Sequence, residues 1–176
     1  MHALPLWLIM SSALQAGAEL PAEREAAVVA LRDVAPDDWQ LKPVKVGSPL
    51  WLDRDYAVTE LSKGLQGGTM LVRDVADNRE WLEPPMVTLK ADCCVYAVVR
   101  WKYFGKAVLE TEVFPILATQ GWTTCEEKVV TSFNEGEDWG WVVFKKELKK
   151  GDKLPRLKDI EWKEPVVFIF MPTAQR

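Results

Sequence analysis

The 176-residue chain contains one histidine, His2. It lies in an N-terminal stretch that reads as removable, so the mature protein is expected to carry no imidazole. That excludes Ser-His-Asp and Cys-His catalysis and imidazole as a general base near neutral pH. The common mixed His/Cys and His/carboxylate zinc sites are excluded with it. What remains open is carboxylate chemistry, Lys or Tyr bases, and oxygen-ligand metals such as calcium. A basic excess is also missing: Lys and Arg total 22 against 26 Asp and Glu, a net charge of −4. Nucleic acid is therefore not an expected partner, since its binders carry a basic domain or stripe. The nearest such stripe, residues 145–163, is interrupted by Glu147, Asp152, Asp159 and Glu161 and reads as a solvated surface.

Long hydrophobic runs are absent too. A transmembrane helix needs about 20 apolar residues, and residues 3–10 (ALPLWLIM) fall well short. That length suits the apolar centre of a secretory signal, and Ala16-Gly17-Ala18 supplies an A-x-A cleavage site before Glu19. No membrane span is expected in the mature chain. The apolar run 166–171 has strand length and precedes a polar tail, which does not fit a hydrophobic-tail lipid anchor. The expected organisation is a signal peptide over 1–18, a leader or short helix over 19–37, and one β-sandwich domain over 38–176. The protein is then secreted, periplasmic or on the cell surface.

Cysteine is scarce: Cys93, Cys94 and Cys125, with no CxxC spacing. An exported protein tolerates an oxidised pair. Neighbouring strand residues face opposite ways, so only one of Cys93 and Cys94 can point at Cys125. A Cys94–Cys125 bridge is the favoured pairing. A Cys93–Cys125 bridge, a vicinal bridge and three buried thiols are the alternatives.

Residues 20–34 hold helix formers, with Ala26, Ala27, Val28 and Leu31 in their middle, and Pro36 ends the stretch. From residue 38 short apolar stretches alternate with Gly, Pro, Asn and Asp, the texture of a sandwich or barrel. Strands are predicted over residues 50–60, 69–73, 86–91, 93–103, 128–133, 139–147 and 166–171. Gly67-Gly68, Pro84-Pro85, Asn134-Glu135-Gly136 and Gly151-Asp152 punctuate them. In 93–103 the odd positions are all apolar or aromatic and the even ones mixed, which assigns one face to the core. Residues 166–171 (VVFIFM) are apolar on both faces and read as a central, doubly covered strand. Residues 106–120 read as an excursion between strands, because Pro115 interrupts a short helical pattern. The fold class is all-β: a two-sheet antiparallel β-sandwich, jelly-roll or immunoglobulin-like, with a short N-terminal helix or leader.

Aromatic residues are plentiful. There are nine tryptophans, and only Trp7 lies in the removable segment. An indole offers a flat apolar face for stacking on a sugar ring and an N–H at its edge. Trp139 and Trp141 are predicted to share one strand face, next to Glu137 and Asp138, and form the leading candidate ligand-binding site. Trp81 and Trp122, beside turns, come next. Core packing is the competing fate of every one of these rings. Two acidic loops, residues 74–78 (DVADN) and 134–138 (NEGED), have oxygen ligands in number but no EF-hand spacing, and read as turns. No cofactor is expected, and no catalytic residue is assigned.

The stretch from residue 56 to residue 151 resembles a secreted β-sandwich module of bacterial, notably planctomycete-type, proteins. The likeness rests on Leu65-Gln66-Gly67-Gly68 before a strand, then Leu71-Val72-Arg73 with Asp77-Asn78. It continues through Val95-Tyr96, Gly121-Trp122-Thr123, and Val143-Phe144 with Lys146 before Gly151. Such modules sit in some cases beside polysaccharide-degrading domains, which implies an accessory, non-catalytic role. The segment 106–120 departs from the short Pro- and Trp-containing link of that pattern. The resemblance assigns no binding residues.

The functional expectation is an exported binding or accessory module, with polysaccharide or glycan as partner through exposed Trp faces. The alternatives are a structural or assembly subunit with an extracellular protein partner and, ranked last, a carboxylate-based glycan-active enzyme. A flat apolar patch would mark the former, and an aromatic-lined groove a glycan site. Mass spectrometry of the protein from the cell that makes it should find a chain beginning at Glu19. Cytosolic protein that begins at Met1 would contradict export.

Overall fold

A computed structural model describes residues 26–32, 39–74, 87–100, 114–132, 141–154 and 166–173. Ten strands and one helix occur among them: β1 (Val29–Leu31), β2 (Gln40–Pro43), β3 (Val58–Leu61), β4 (Thr69–Val72), β5 (Val87–Leu89), β6 (Cys93–Arg100), α1 (Phe114–Thr119), β7 (Thr123–Thr124), β8 (Val129–Thr131), β9 (Trp141–Leu148) and β10 (Val167–Pro172). A single 3-10 turn spans Lys63–Leu65. The protein is an all-β sandwich built of antiparallel sheets. Its central layer is a six-stranded sheet in the order β2-β4-β10-β6-β9-β7, and two two-stranded ribbons, β1-β5 and β3-β8, complete it.

Strand alternation explains the layering. Side chains at successive positions leave opposite faces of a sheet. Phe168 and Phe170 of β10 join Val95, Ala97 and Val99 of β6 and Phe144 of β9 in one core, closed by the β1-β5 ribbon and α1. Val167 and Ile169 join Val98, Val143, Met70 and Val72 in a second core on the opposite face, closed by the β3-β8 ribbon and the 3-10 turn. Register aligns the partners. Phe168 faces Ala97 and Ala97 faces Phe144, so a small residue sits between two large rings. The next row on the other face, Val167, Val98 and Val143, is all valine. Each such fully buried side chain contributes about 1.5–3 kcal/mol, which favours covering both faces. The doubly apolar run 166–171 is thus the central strand that its sequence predicts.

Three segments differ from their sequence patterns. Residues 20–34 read as a leader or helix, but Val29–Leu31 form β1, and Val29 and Leu31 are buried in the first core. Register pairs Val29 with Leu89 and Leu31 with Val87. Tertiary pairing and β-branched Val28 and Val29 outweigh the helix propensity of the neighbouring alanines. In the predicted strand 50–60, only the last residues are strand. Asp53, Arg54 and Asp55 turn the chain, and the Leu50 N–H donates to the Tyr56 carbonyl at 2.8 Å. Pro115 does not break a helix but starts one, as the second residue of α1, where its missing N–H leaves no bond unmade.

The loops at the far end of the sheet, beyond Pro43, Cys93 and Leu148, are tightly tied. The Asp92 carboxylate accepts from the Lys150 backbone N–H at 2.9 Å and from Lys149 Nζ at 3.0 Å, and both bonds hold its pKa below the usual carboxylate value. Gly68 passes so close to β10 that no side chain fits. A Cβ there would collide with Met171 Sδ and lie 3.1 Å from Ile169 Cγ2 and 3.2 Å from the Phe170 carbonyl oxygen. Gly68→Ala should therefore cost about 1–3 kcal/mol through overpacking, read as a lower midpoint in urea denaturation. An unchanged midpoint would contradict this close approach.

Candidate functional site

The six-stranded sheet has one end at which residues of five strands converge. Register carries β2 and β4 past the Gln40–Val72 pair to Trp39 and Arg73. It carries β10 back to Val166, and β6 and β9 to the Arg100–Trp141 pair. A hollow lies at this end, where the two cores meet. Trp39, Leu71 and Val166 line it from one side and Leu50, Trp51 and Val167 from the other, with Arg73 in the wall. The space within it is of the order of one water molecule, and it opens in part to solvent.

Arg73 is the unusual residue here. It occupies the face of β4 that buries Leu71, and is only 9% exposed. Its guanidinium lies 5.1 Å from the ring centroid of half-buried Trp39, a cation–π geometry that offsets part of the cost of burying the charge. The Arg73 carbonyl accepts from the Leu52 N–H at 3.0 Å, which fastens the 50–56 turn to the end of β4. That turn carries Trp51, which packs edge-on to Tyr56 at 5.8 Å and tilted against Trp141 at 6.4 Å. Trp51 is buried, whereas Trp39, Tyr56 and Trp141 are half-buried; of the four, Trp39 and Trp51 line the hollow. The Asp53 carboxylate beside them lies 3.6 Å from Arg54 Nε.

The residues singled out from sequence fall in three groups. Trp141 belongs to this aromatic group, although its ring packs largely against the second core. Trp81, Glu137, Asp138 and Trp139 lie outside the described residues, as do most of the two acidic loops. Trp122 is core: it is 2% exposed and packs against Phe168 at 6.4 Å. The chain end of α1 places it there. Gly121 adopts φ +79°, its N–H bonds the Ala118 carbonyl, and the Trp122 N–H bonds that of Leu117 at 2.9 Å. This Schellman closure folds Trp122 back over Leu117 and into the interior. Trp39, Trp51, Tyr56 and Arg73 were not singled out. The available signal was Arg73 itself, a charge at the core parity of an otherwise apolar strand.

The predicted Cys94–Cys125 bridge is not formed: all three cysteines are free thiols. In register Cys94 faces Glu147, whereas the Cys125 N–H bonds the Val143 carbonyl. Those positions are four residues apart along β9, about 13 Å at ~3.3 Å per residue, against the roughly 4.4–6.8 Å between Cα atoms that a disulfide needs. Burial pushes the Cys93 thiol up to about 11 and raises Cys94 and Cys125 as well. None is poised as a nucleophile. Among the described residues no group of three or more His, Cys, Asp or Glu is arranged to hold a metal ion.

No family model matches the chain, and no curated protein matches it. Among solved structures it is similar to a beta-glucuronidase from glycoside hydrolase family 2, with a TM-score of 0.58 at 12% identity. The match covers 85% of this chain and 15% of that enzyme. The chain thus spans a small part of the enzyme's length, and the likeness is one of fold.

Free, buried thiols have a direct signature. The unfolded, unreduced protein should take up three equivalents of an alkylating reagent. In the folded protein at neutral pH, fully buried Cys93 should react slower than half-buried Cys94 and Cys125. Uptake of only one equivalent in the unfolded state would show a disulfide and contradict this arrangement.

Proposed function

We propose that the protein is an exported, non-catalytic accessory module that binds carbohydrate at the Trp39–Arg73 end of its sandwich. The observation that carries this reading is a hollow lined by half-buried Trp39, buried Trp51 and Arg73, with half-buried Tyr56 and Trp141 packed against Trp51. Indole and phenol rings stack on the apolar faces of sugars, and N–H donors at the edge fix orientation. The fold supports it, since a sandwich of this kind occurs within a glycosidase, where it accounts for 15% of the chain. Export is supported by the uncharged segment 3–18 and the A-x-A site at its end. The non-catalytic role is supported by a mature sequence without histidine, which removes the commonest general acid–base.

An assembly subunit would bury a contiguous apolar patch against its partner. Among the described residues the exposed large hydrophobics come down to Val46, so that reading has less support than a rimmed hollow.

Titration of the protein with a panel of soluble polysaccharides, followed by tryptophan fluorescence, should give a saturable shift with one class of polymer. Trp39→Ala should weaken that binding by about tenfold, the loss of one stacked ring, in protein that still unfolds cooperatively. Trp122→Ala, in contrast, should lower stability by about 3–5 kcal/mol. Silence across the whole panel would contradict a carbohydrate role.

A further inference from the structure

We propose that the hollow receives a methyl group carried by a sugar, so that the ligand is a methyl-bearing glycan, built of deoxy or acetylated sugars. This rests on the carbohydrate reading above and goes further by naming the ligand class. Size comes first. A space of the order of one water molecule cannot admit a sugar ring. It admits one small substituent through its open side, while the ring stays outside. Trp39 is the half-buried member of the wall, so its indole is the part within reach of that ring. The small groups at the edge of common neutral sugars are a hydroxyl, a hydroxymethyl, a methyl and the methyl end of an acetyl. A methyl is a single carbon with its hydrogens, which is about the size of the space.

The wall chooses among them. Leu50, Leu71, Val166 and Val167 bring aliphatic side chains to the space, and Trp39 and Trp51 bring indoles. All of these except Trp39 are buried members of the two cores. Their positions are therefore set before a ligand arrives, which spares the cost of ordering them on binding. A hydroxyl that leaves water for such a surround gives up hydrogen bonds that Leu and Val side chains do not return. A methyl has no such bonds to lose. It gains contact with each aliphatic carbon that it meets and sheds its own apolar surface from water. Arg73 also lines the space, with its guanidinium against the Trp39 ring, 5.1 Å from the centroid. The methyl asks nothing of it, since it needs no donor, acceptor or countercharge.

The test compares neutral sugars in matched pairs, one member of each bearing the methyl. Binding of the full chain would be measured by calorimetry for L-fucose against L-galactose and for L-rhamnose against L-mannose. Acetylated glucomannan would be set against the same polymer after alkaline deacetylation, and a chitin hexasaccharide against a cellulose hexasaccharide. The methyl belongs to a deoxy carbon in the first two pairs, an ester in the third and an amide in the fourth. The pair that discriminates thus identifies its source. In at least one pair the methyl-bearing member should bind about fourfold tighter or more, the burial of one methyl-sized group. Added salt should leave that preference unchanged, because no charge carries it. Intermolecular NOEs should run from the ligand methyl to the methyls of Leu71 or Val166. Val166→Ile and Val167→Ile each add a methylene to the wall, and at least one should erase the preference in protein that still unfolds cooperatively. Equal binding within every pair, or a preference only for the hydroxyl-bearing members, would overturn the methyl assignment and leave the carbohydrate reading standing. A preference that survives in both variants, or a saturated complex without those NOEs, would overturn it too, since the methyl then lies elsewhere. Binding to no member of any pair would overturn it as well. The carbohydrate reading fails with it only if the panel of soluble polysaccharides is silent too.

Discussion

Phe168 and Phe170 leave β10 on one side, Val167 and Ile169 leave it on the other, and all four are buried. A strand buried on both faces must lie inside a sheet, and that sheet must be covered twice. The rest of the architecture meets that requirement. The β1-β5 ribbon and α1 close one face and the β3-β8 ribbon closes the other. Neither ribbon could stand alone, since an isolated two-stranded hairpin is marginal in water. Each gains its stability from the central sheet, which gains dryness from them.

Double coverage also creates the candidate site. Among the described residues, side chains of the two cores come together at the near end of the sheet. At the far end short ties fasten the loops, with Asp92 holding Lys149 and Lys150 and Gly68 pressed against β10. At the near end the closing residues are large and aromatic, and they do not close completely. Trp39 and Arg73 extend the first face, Leu50 and Trp51 cover the second, and the hollow is what remains between them.

The sequence was informative where side-chain parity carries the information. The apolar run of β10, the alternation in β6 and the Gly and Pro punctuation were sufficient for an all-β sandwich with a doubly buried strand. Local pattern failed where partners distant in sequence decide. Val29–Leu31 is a strand because of Leu89 and Val87, some 60 residues away. Trp122 is core because a Schellman turn aims it inward. The site was harder to read for the same reason. Trp39 and Arg73 are 34 positions apart and become neighbours only through the β2-β4 register. A tryptophan count cannot separate a rim residue such as Trp39 from a core residue such as Trp122. The charge of Arg73 within an apolar alternation was the single local trace of the site.

The central claim is that ligand meets this molecule at the Trp39–Arg73 end. Chemical-shift mapping of the isotope-labelled protein with soluble fragments of the polysaccharide that binds tests it most directly, because indole and guanidinium N–H signals report each group separately. The account predicts that the Trp39 indole and Arg73 Nε–H signals move together and saturate, while the Trp122 indole stays still. Shifts confined to the opposite end, around Asp92 and Lys149, with Trp39 and Arg73 unmoved, would contradict it.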